Sequence, residues 1–171
     1  MEIFKKTLNI PDGVVLIQKN PHILEIKGPF KNIIYPIPNK LNLQFDKSHV
    51  TITSKMIFST ELAQFWAYLY GSARLFKINL RLVGIGYKAY LDNDKLCLVL
   101  GYSHTIYFKI PAGLQILTPK NRFIVITGAN YNLVTQVAAR LRNFKRPDIY
   151  KGKGILYITE TLNLKEGKKK K

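Results

Sequence analysis

Along this chain the apolar positions fall first in short runs and then at helical spacing, and that order occurs twice. Ile23 to Ile26 and Leu96 to Leu100 are apolar runs closed by Gly28 and Gly101. Runs of this length between turn residues predict strands. Further strands are predicted at Ile33 to Ile37 and Ile106 to Ile110, each followed by a proline that cannot donate to a central ladder. Val50 to Thr53 and Phe123 to Ile126 make a fourth pair, and Leu80 to Val83 is also strand-like. Asp92-Asn93-Asp94 has the residues of a tight hairpin turn, so the strands on either side of it should pair. The period then changes. Leu62, Phe65, Trp66, Leu69 and Tyr70 follow a candidate cap at Ser59, with Glu61 in the first turn. Leu133, Val134, Val137, Ala138 and Leu141 follow a candidate cap at Asn130, and Pro147 stops the helix.

The two halves are in register. Gly13, Gly28, Pro38 and Leu41 recur at one constant offset as Gly86, Gly101, Pro111 and Leu114, without a gap. Asn20, Ile33, Ile37 and Lys47 match Asn93, Ile106, Ile110 and Lys120 at the same offset. These are 8 identities over the 42 positions from Gly13 to Ser54, where chance gives about three. The expected fold is therefore α+β, with two tandem duplicated domains, each a small antiparallel sheet covered by one helix. Residues 1–76 form the first domain, 77–160 the second, and 161–171 a basic tail.

Composition narrows the class. With 47% apolar and 12% aromatic residues the chain can bury a core, so its net charge of +17 sits on a folded body. A single cysteine, Cys97, excludes an internal disulfide framework and any cysteine-based zinc cluster. No apolar run approaches the roughly 20 residues that span a bilayer. The first eleven residues have neither a signal-peptide core nor an organellar presequence pattern. Lysine outnumbers arginine by 21 to 6, and Ile and Asn are plentiful, as an AT-rich genome would dictate.

Each catalytic motif lacks a part that its chemistry needs. Gly84, Gly86 and Ala89 spell G-x-G-x-x-A, a dinucleotide fingerprint that works only where the glycines open a helix. Here Tyr87 to Leu91 lead into a turn and another strand, which favours a glycine bulge or a close backbone approach. Lys151-Gly152-Lys153-Gly154 lacks P-loop spacing. His22, His49 and His104 have no partner at metal-ligand spacing. Ser103 and His104 are adjacent, and neighbours on a strand point to opposite faces, which hinders a nucleophile and base contact. No catalytic, metal or cofactor site is expected.

Charge carries more. Arg140, Arg142, Lys145, Arg146, Lys151 and Lys153 face one acid, Asp148, within fourteen residues. A solvated face normally interleaves acids. The cluster fits a phosphate-binding edge on which Lys and Arg displace counterions, and Gly152 and Gly154 carry no side chain to hold a nucleic-acid backbone away. Tyr150 and Tyr157 have rings suited to stacking on a base or on ribose. Lys168, Lys169, Lys170 and Lys171 add salt-sensitive attraction.

Pro147-Asp148-Ile149-Tyr150-Lys151-Gly152-Lys153-Gly154-Ile155 resembles the signature of the bacterial-type large-subunit ribosomal protein six family. Leu82 to Ala89, Leu100 to His104 and Gln136 to Ala139 fall in the family's order and approximate spacing. The likeness covers Leu80 to the end directly, and Met1 to Arg74 through the repeat architecture. It implies a duplicated α+β protein with a structural role, bound to large-subunit rRNA near the factor-binding side and the sarcin/ricin loop. Carried over by motif, the rRNA contacts are Tyr150, Lys151, Gly152, Lys153 and Gly154, with Tyr87, Lys88, Ser103 and His104 from other loops of the second domain. Arg142, Lys145 and Arg146 join them on charge alone. The implied partners are large-subunit rRNA and neighbouring ribosomal proteins, with no membrane and no small-molecule substrate. Codon bias, a diverged first half and the lack of a presequence pattern point to a mitochondrially encoded subunit, with an AT-rich bacterium or a plastid as alternatives. Two rival readings are a nucleotide-binding enzyme using Gly84 to Ala89 and a polybasic protein docking on membranes through its lysine tail.

Overall fold

Side chains alternate across a strand, so one face of a run can turn toward a core while the other faces out. In the computed structural model, which describes residues 4–39, 41–46, 48–54 and 59–167, the first runs form β1 (Phe4–Asn9), β2 (Val15–Asn20), β3 (Ile23–Lys27), β4 (Asn32–Pro36), β5 (Asn42–Phe45) and β6 (His49–Ser54), followed by α1 (Ser59–Ala73). The second set comprises β7 (Phe76–Val83), β8 (Lys88–Asp92), β9 (Lys95–Val99), β10 (Ile106–Lys109), β11 (Leu114–Leu117), a 3-10 turn at Pro119–Asn121, β12 (Phe123–Gly128) and α2 (Tyr131–Phe144). A last strand, β13 (Gly154–Tyr157), comes after them. The chain divides into two compact units: Met1–Phe76 with Ala129–Tyr131, and Lys77–Gly128 with Asn132–Lys171.

At the offset that carries Gly13 onto Gly86, β1 to β6 and α1 fall on β7 to β12 and α2 to within two residues at either end. The turns repeat as well. The Val14 amide donates to the Pro11 carbonyl at 3.2 Å and, at the matching place in the second half, the Tyr87 amide donates to Gly84 at 3.4 Å. Leu41 to Pro38 at 3.0 Å is matched by Leu114 to Pro111 at 3.4 Å. Gly13 and Gly86, the first repeat pair, have φ of +78° and +77°. That left-handed geometry explains why glycine stands at both.

The expectation of one small sheet per domain is corrected to two. In the first unit β2-β3-β4 form one antiparallel sheet and β1-β6-β5 another; in the second, β8-β9-β10 are separate from β11-β12-β7-β13. Pro36, Pro38 and Pro111 explain the break, since a proline has no amide to extend the ladder and the chain turns into the next sheet. β8 and β9 pair across a two-residue turn with Asp92 opposite Lys95. Asn93 there has φ of +50°, as such a hairpin demands.

The helices cover the cores. In the first unit Leu24, Ile26, Tyr35, Val50, Ile52, Phe65 and Leu69 are buried together, with the Tyr35 and Phe65 rings 5.2 Å apart. Trp66 and Tyr70, grouped with that stripe by their spacing, instead lie exposed and pack on each other at 4.0 Å. Ser59 is the first residue of α1 rather than its cap, and the position before it lies outside the described residues. In the second unit Val134, Val137, Ala138 and Leu141 bury the predicted face of α2, together with Leu96, Leu98, Ile124 and Ile126.

Candidate nucleic-acid interface

Strand register gathers three loops at one end of the second unit. Lys88 pairs with Val99, Leu98 with Ile106, and Gly154 with Val83. The turn 84–87, the loop 100–105 and the segment leading into β13 therefore leave from neighbouring strand ends. The Tyr87 ring joins the first two. A Cβ built on Gly84 would stand 2.8 Å from it and one on Gly101 3.2 Å, so the ring lies close against both glycines. The sequence expectation of a close backbone approach is met, and Gly86 leads into β8 rather than into a helix. The loop is then tied to the end of α2. The Tyr102 hydroxyl donates to the Phe144 carbonyl at 3.0 Å, Lys145 Nζ stands 4.2 Å from the centre of the Tyr102 ring, and His104 stacks on that ring at 6.2 Å. Tyr87, Lys88, Ser103, His104 and Lys145 thus share one region, with Lys88, Ser103 and His104 exposed.

The segment after α2 is a turn built on Asp148. Its carboxylate accepts the amides of Tyr150 at 3.4 Å and Lys151 at 3.0 Å. Its carbonyl accepts Gly152 N–H at 2.9 Å, and its own amide donates to Lys153 at 3.0 Å. The one acid of the cluster is consumed in shaping it. Tyr150 (55% exposed) and Ile149 (49%) are left outside, with Lys151 and Arg146 also exposed and Lys153 half-buried. Cations beyond the C-terminus of α2 also complement the helix dipole, so part of this clustering serves the fold.

Four residues have internal roles that their spacing in sequence does not reveal. Gly152 has φ of +65° and is buried with Leu162 and Leu164 over it, while a Cβ on Gly154 would fall 2.6 Å from Pro147 Cα. Both glycines are required by the turn itself rather than as open space for a ligand. Arg142 is bound to Glu160 by two hydrogen bonds, Nη2 to Oε1 at 2.5 Å and Nε to Oε2 at 3.2 Å. That pairing holds the Glu160 carboxyl below the usual carboxylate range and pushes the guanidinium pKa up. Tyr157, expected to stack on a base, is half-buried with the Arg142 guanidinium 5.8 Å above its ring. Lys168, Lys169, Lys170 and Lys171 lie outside the described residues.

Other exposed groups escaped the sequence reading as site residues. Tyr102 (43% exposed) and Ile85 (91%) occupy the tips of their loops. Large apolar side chains at glycine-flanked turns were the available signal. Charge is also uneven between the units. From Lys77 onward there are 18 Lys and Arg against 5 acids; before it there are 9 against 5. Among the described residues no cluster of His, Cys, Asp and Glu is arranged to hold a metal, and no helix is long and apolar enough to cross a membrane.

Comparison with known proteins identifies the chain's relatives. The family model described as Ribosomal protein L6 matches residues 83–158, which contain all three loops. The large ribosomal subunit protein uL6 of Hydrogenobaculum sp. strain Y04AAS1 is 35% identical over 173 residues, 97% of this chain and 94% of that protein. The uL6 proteins of Rhodopseudomonas palustris strain BisB18 and Spiroplasma citri are 36% and 38% identical, each across 97% of this chain and 97% and 96% of their own lengths. The likeness read from the second half therefore continues through the first unit as well. With this identity sustained across both halves of a duplicated α+β fold, the chain belongs to the ribosomal protein L6 family.

Proposed function

We propose that this chain is a non-catalytic structural protein of a large ribosomal subunit that holds folded rRNA against the loop end of its second unit. The observation that carries the reading is the convergence there of Lys88, Lys145, Arg146, Lys151 and Lys153 beside exposed Tyr150 and Tyr102, with Asp148 consumed inside its own turn. Double-helical RNA presents phosphates and 2′-hydroxyls over a wide, shallow groove, and a fixed array of cations and hydroxyls recognises that shape without reading bases. Ser103, His104 and Tyr87 lie in the same region and supply polar and aromatic contacts to sugar and phosphate. The glycines at 152 and 154 contribute by shaping the turn. Lys168 to Lys171 add long-range attraction screened by salt.

The rRNA partner lies near the factor-binding side, by the sarcin/ricin loop, as the family resemblance implies, and neighbouring ribosomal proteins flank it. The named relatives are bacterial, which supports a bacterial-type ribosome, in the mitochondrial matrix as the bias toward Lys, Ile and Asn suggests, or else in a bacterium or a plastid. Sedimentation of native lysate through sucrose at moderate and then high salt tests the reading. Co-migration with large subunits that survives high salt is expected; migration as free protein at the top of the gradient overturns it.

A further inference from the structure

Beyond β13 the chain does not run free. The Ile158 amide donates to Asn79 at 3.1 Å and the Glu160 amide to Tyr157 at 3.1 Å, which turns the chain back. Glu160 anchors that turn. Its carboxylate takes the fork of Arg142 and the Tyr157 amide at 3.3 Å, and its carbonyl accepts Arg81 Nη2 at 3.4 Å. Five residues later the Lys165 amide donates to the Ile149 carbonyl at 2.9 Å. Between these ties Leu162 and Leu164 lie 3.6 and 3.4 Å from where a Cβ of Gly152 would be. The segment that sequence assigns to the start of the tail is thus fastened at one end to α2 and at the other to the turn bearing Tyr150 and Lys151.

We infer that residues 158–167 form a strap that fixes the 148–153 turn in its RNA-binding shape, with Arg142 and Glu160 as positioning residues rather than RNA contacts. The inference rests on the function proposed above. Arg142 is 29% exposed at its side chain and already spans both carboxylate oxygens of Glu160. A phosphate drawing it away would leave that carboxylate without its partner. The strap therefore contributes order, and the exposed lysines contribute attraction.

Glu160→Gln separates the two. It raises net charge by one, so attraction alone would tighten binding to any polyanion. The strap requires the opposite. In the full chain, Glu160→Gln should weaken binding to a large-subunit rRNA fragment by about fivefold and speed amide exchange at Tyr150, Lys151 and Gly152, with the melting temperature of the core nearly unchanged. Arg142→Met should weaken binding without altering the slope of log affinity against log salt, whereas loss of a phosphate contact lowers that slope by about 0.9. The double exchange Arg142→Glu with Glu160→Arg should restore part of the affinity. Leu164→Ser, at an exposed position, repeats the test should Glu160→Gln fail to fold. Unchanged or tighter binding with unchanged exchange overturns the strap. Should the unaltered chain fail to bind the rRNA fragment, the functional reading fails, and the exchange measurement still decides whether the strap holds the turn.

Discussion

The same scaffold is used twice in this chain and ends differently each time. In the first unit the end of α1 turns inward: Ser72 is buried, its hydroxyl donates to Leu69 at 2.8 Å, and its carbonyl takes the Phe30 amide at 3.3 Å. At the corresponding positions of the repeat, Lys145 stands in place of Ser72 and Arg146 in place of Ala73. Lys88 likewise stands where the first unit has Val15, an exposed apolar residue. The second unit also pairs β13 with β7 at residues 154–157, and the turn feeding that strand carries Lys151 and Lys153. Duplication supplied the frame. Substitution at a helix end and a loop, with one added strand, gave one copy a dense group of exposed cations and left the other with a much smaller excess of them.

The difference is tested most severely by reversing charge at corresponding ends. Lys151→Glu with Lys153→Glu should lower affinity for the rRNA fragment on the order of a hundredfold at about 100 mM salt, since two phosphate contacts are lost and two repulsions are added. Thermal unfolding should hardly move, because neither side chain is buried. Lys27→Glu with Lys31→Glu, at exposed positions of the first unit's counterpart of the 100–105 loop, should cost less than about threefold. Comparable losses from both pairs, measured by filter binding across a salt series, would mean that the two units share the RNA.

Much of this asymmetry was legible in sequence, and the missing parts have physical causes. Strands and helices followed from apolar spacing because each has one face against a core, as β3 does with Leu24 and Ile26 and α2 does with Val134 and Leu141. The duplication was legible because Gly13 and Gly86 answer the same backbone demand. What spacing could not convey was partnership across long separations. Arg142 looked like a free cation because its carboxylate lies 18 residues away, beyond a strand and a turn. Gly154 looked permissive because Pro147, which excludes a side chain there, approaches only once the turn has closed. Trp66 and Tyr70 kept helical spacing with Phe65 and Leu69 yet fall on the flank of the stripe, where they cover each other.

The glycines give the next largest effect. Gly154→Ala places a Cβ 2.6 Å from Pro147 Cα at φ of +155°, and the contact is backbone, which does not swing aside. A loss on the order of 2–4 kcal/mol is expected, read as a lower melting temperature together with lost RNA binding. Gly86→Ala, with nothing within 4 Å, carries only the strain of φ at +77°, about 1 kcal/mol. Equal effects would mean that the turn yields to Gly154→Ala, so that crowding is not what reserves that position.

The subtlest contrast is in pH. Pairing with Arg142 depresses the Glu160 carboxyl, so its contribution is present above the ordinary carboxylate range and is lost as pH falls through the depressed value. Tyr35 has the opposite sign. Burial, with Glu61 and Tyr68 nearby, pushes its hydroxyl from 10.0 up to about 12, so its stabilising effect is complete below pH about 10 and disappears as pH rises through about 12. Acid should therefore loosen the second unit first, at the 158–160 turn, and alkali the first unit, at its core. Glu160→Gln should remove the early acid step seen by amide exchange, and Tyr35→Phe should move the alkaline unfolding midpoint upward without changing the acid limb. If either substitution shifted both limbs equally, the units would be melting as one body and the division of labour between them would not extend to stability.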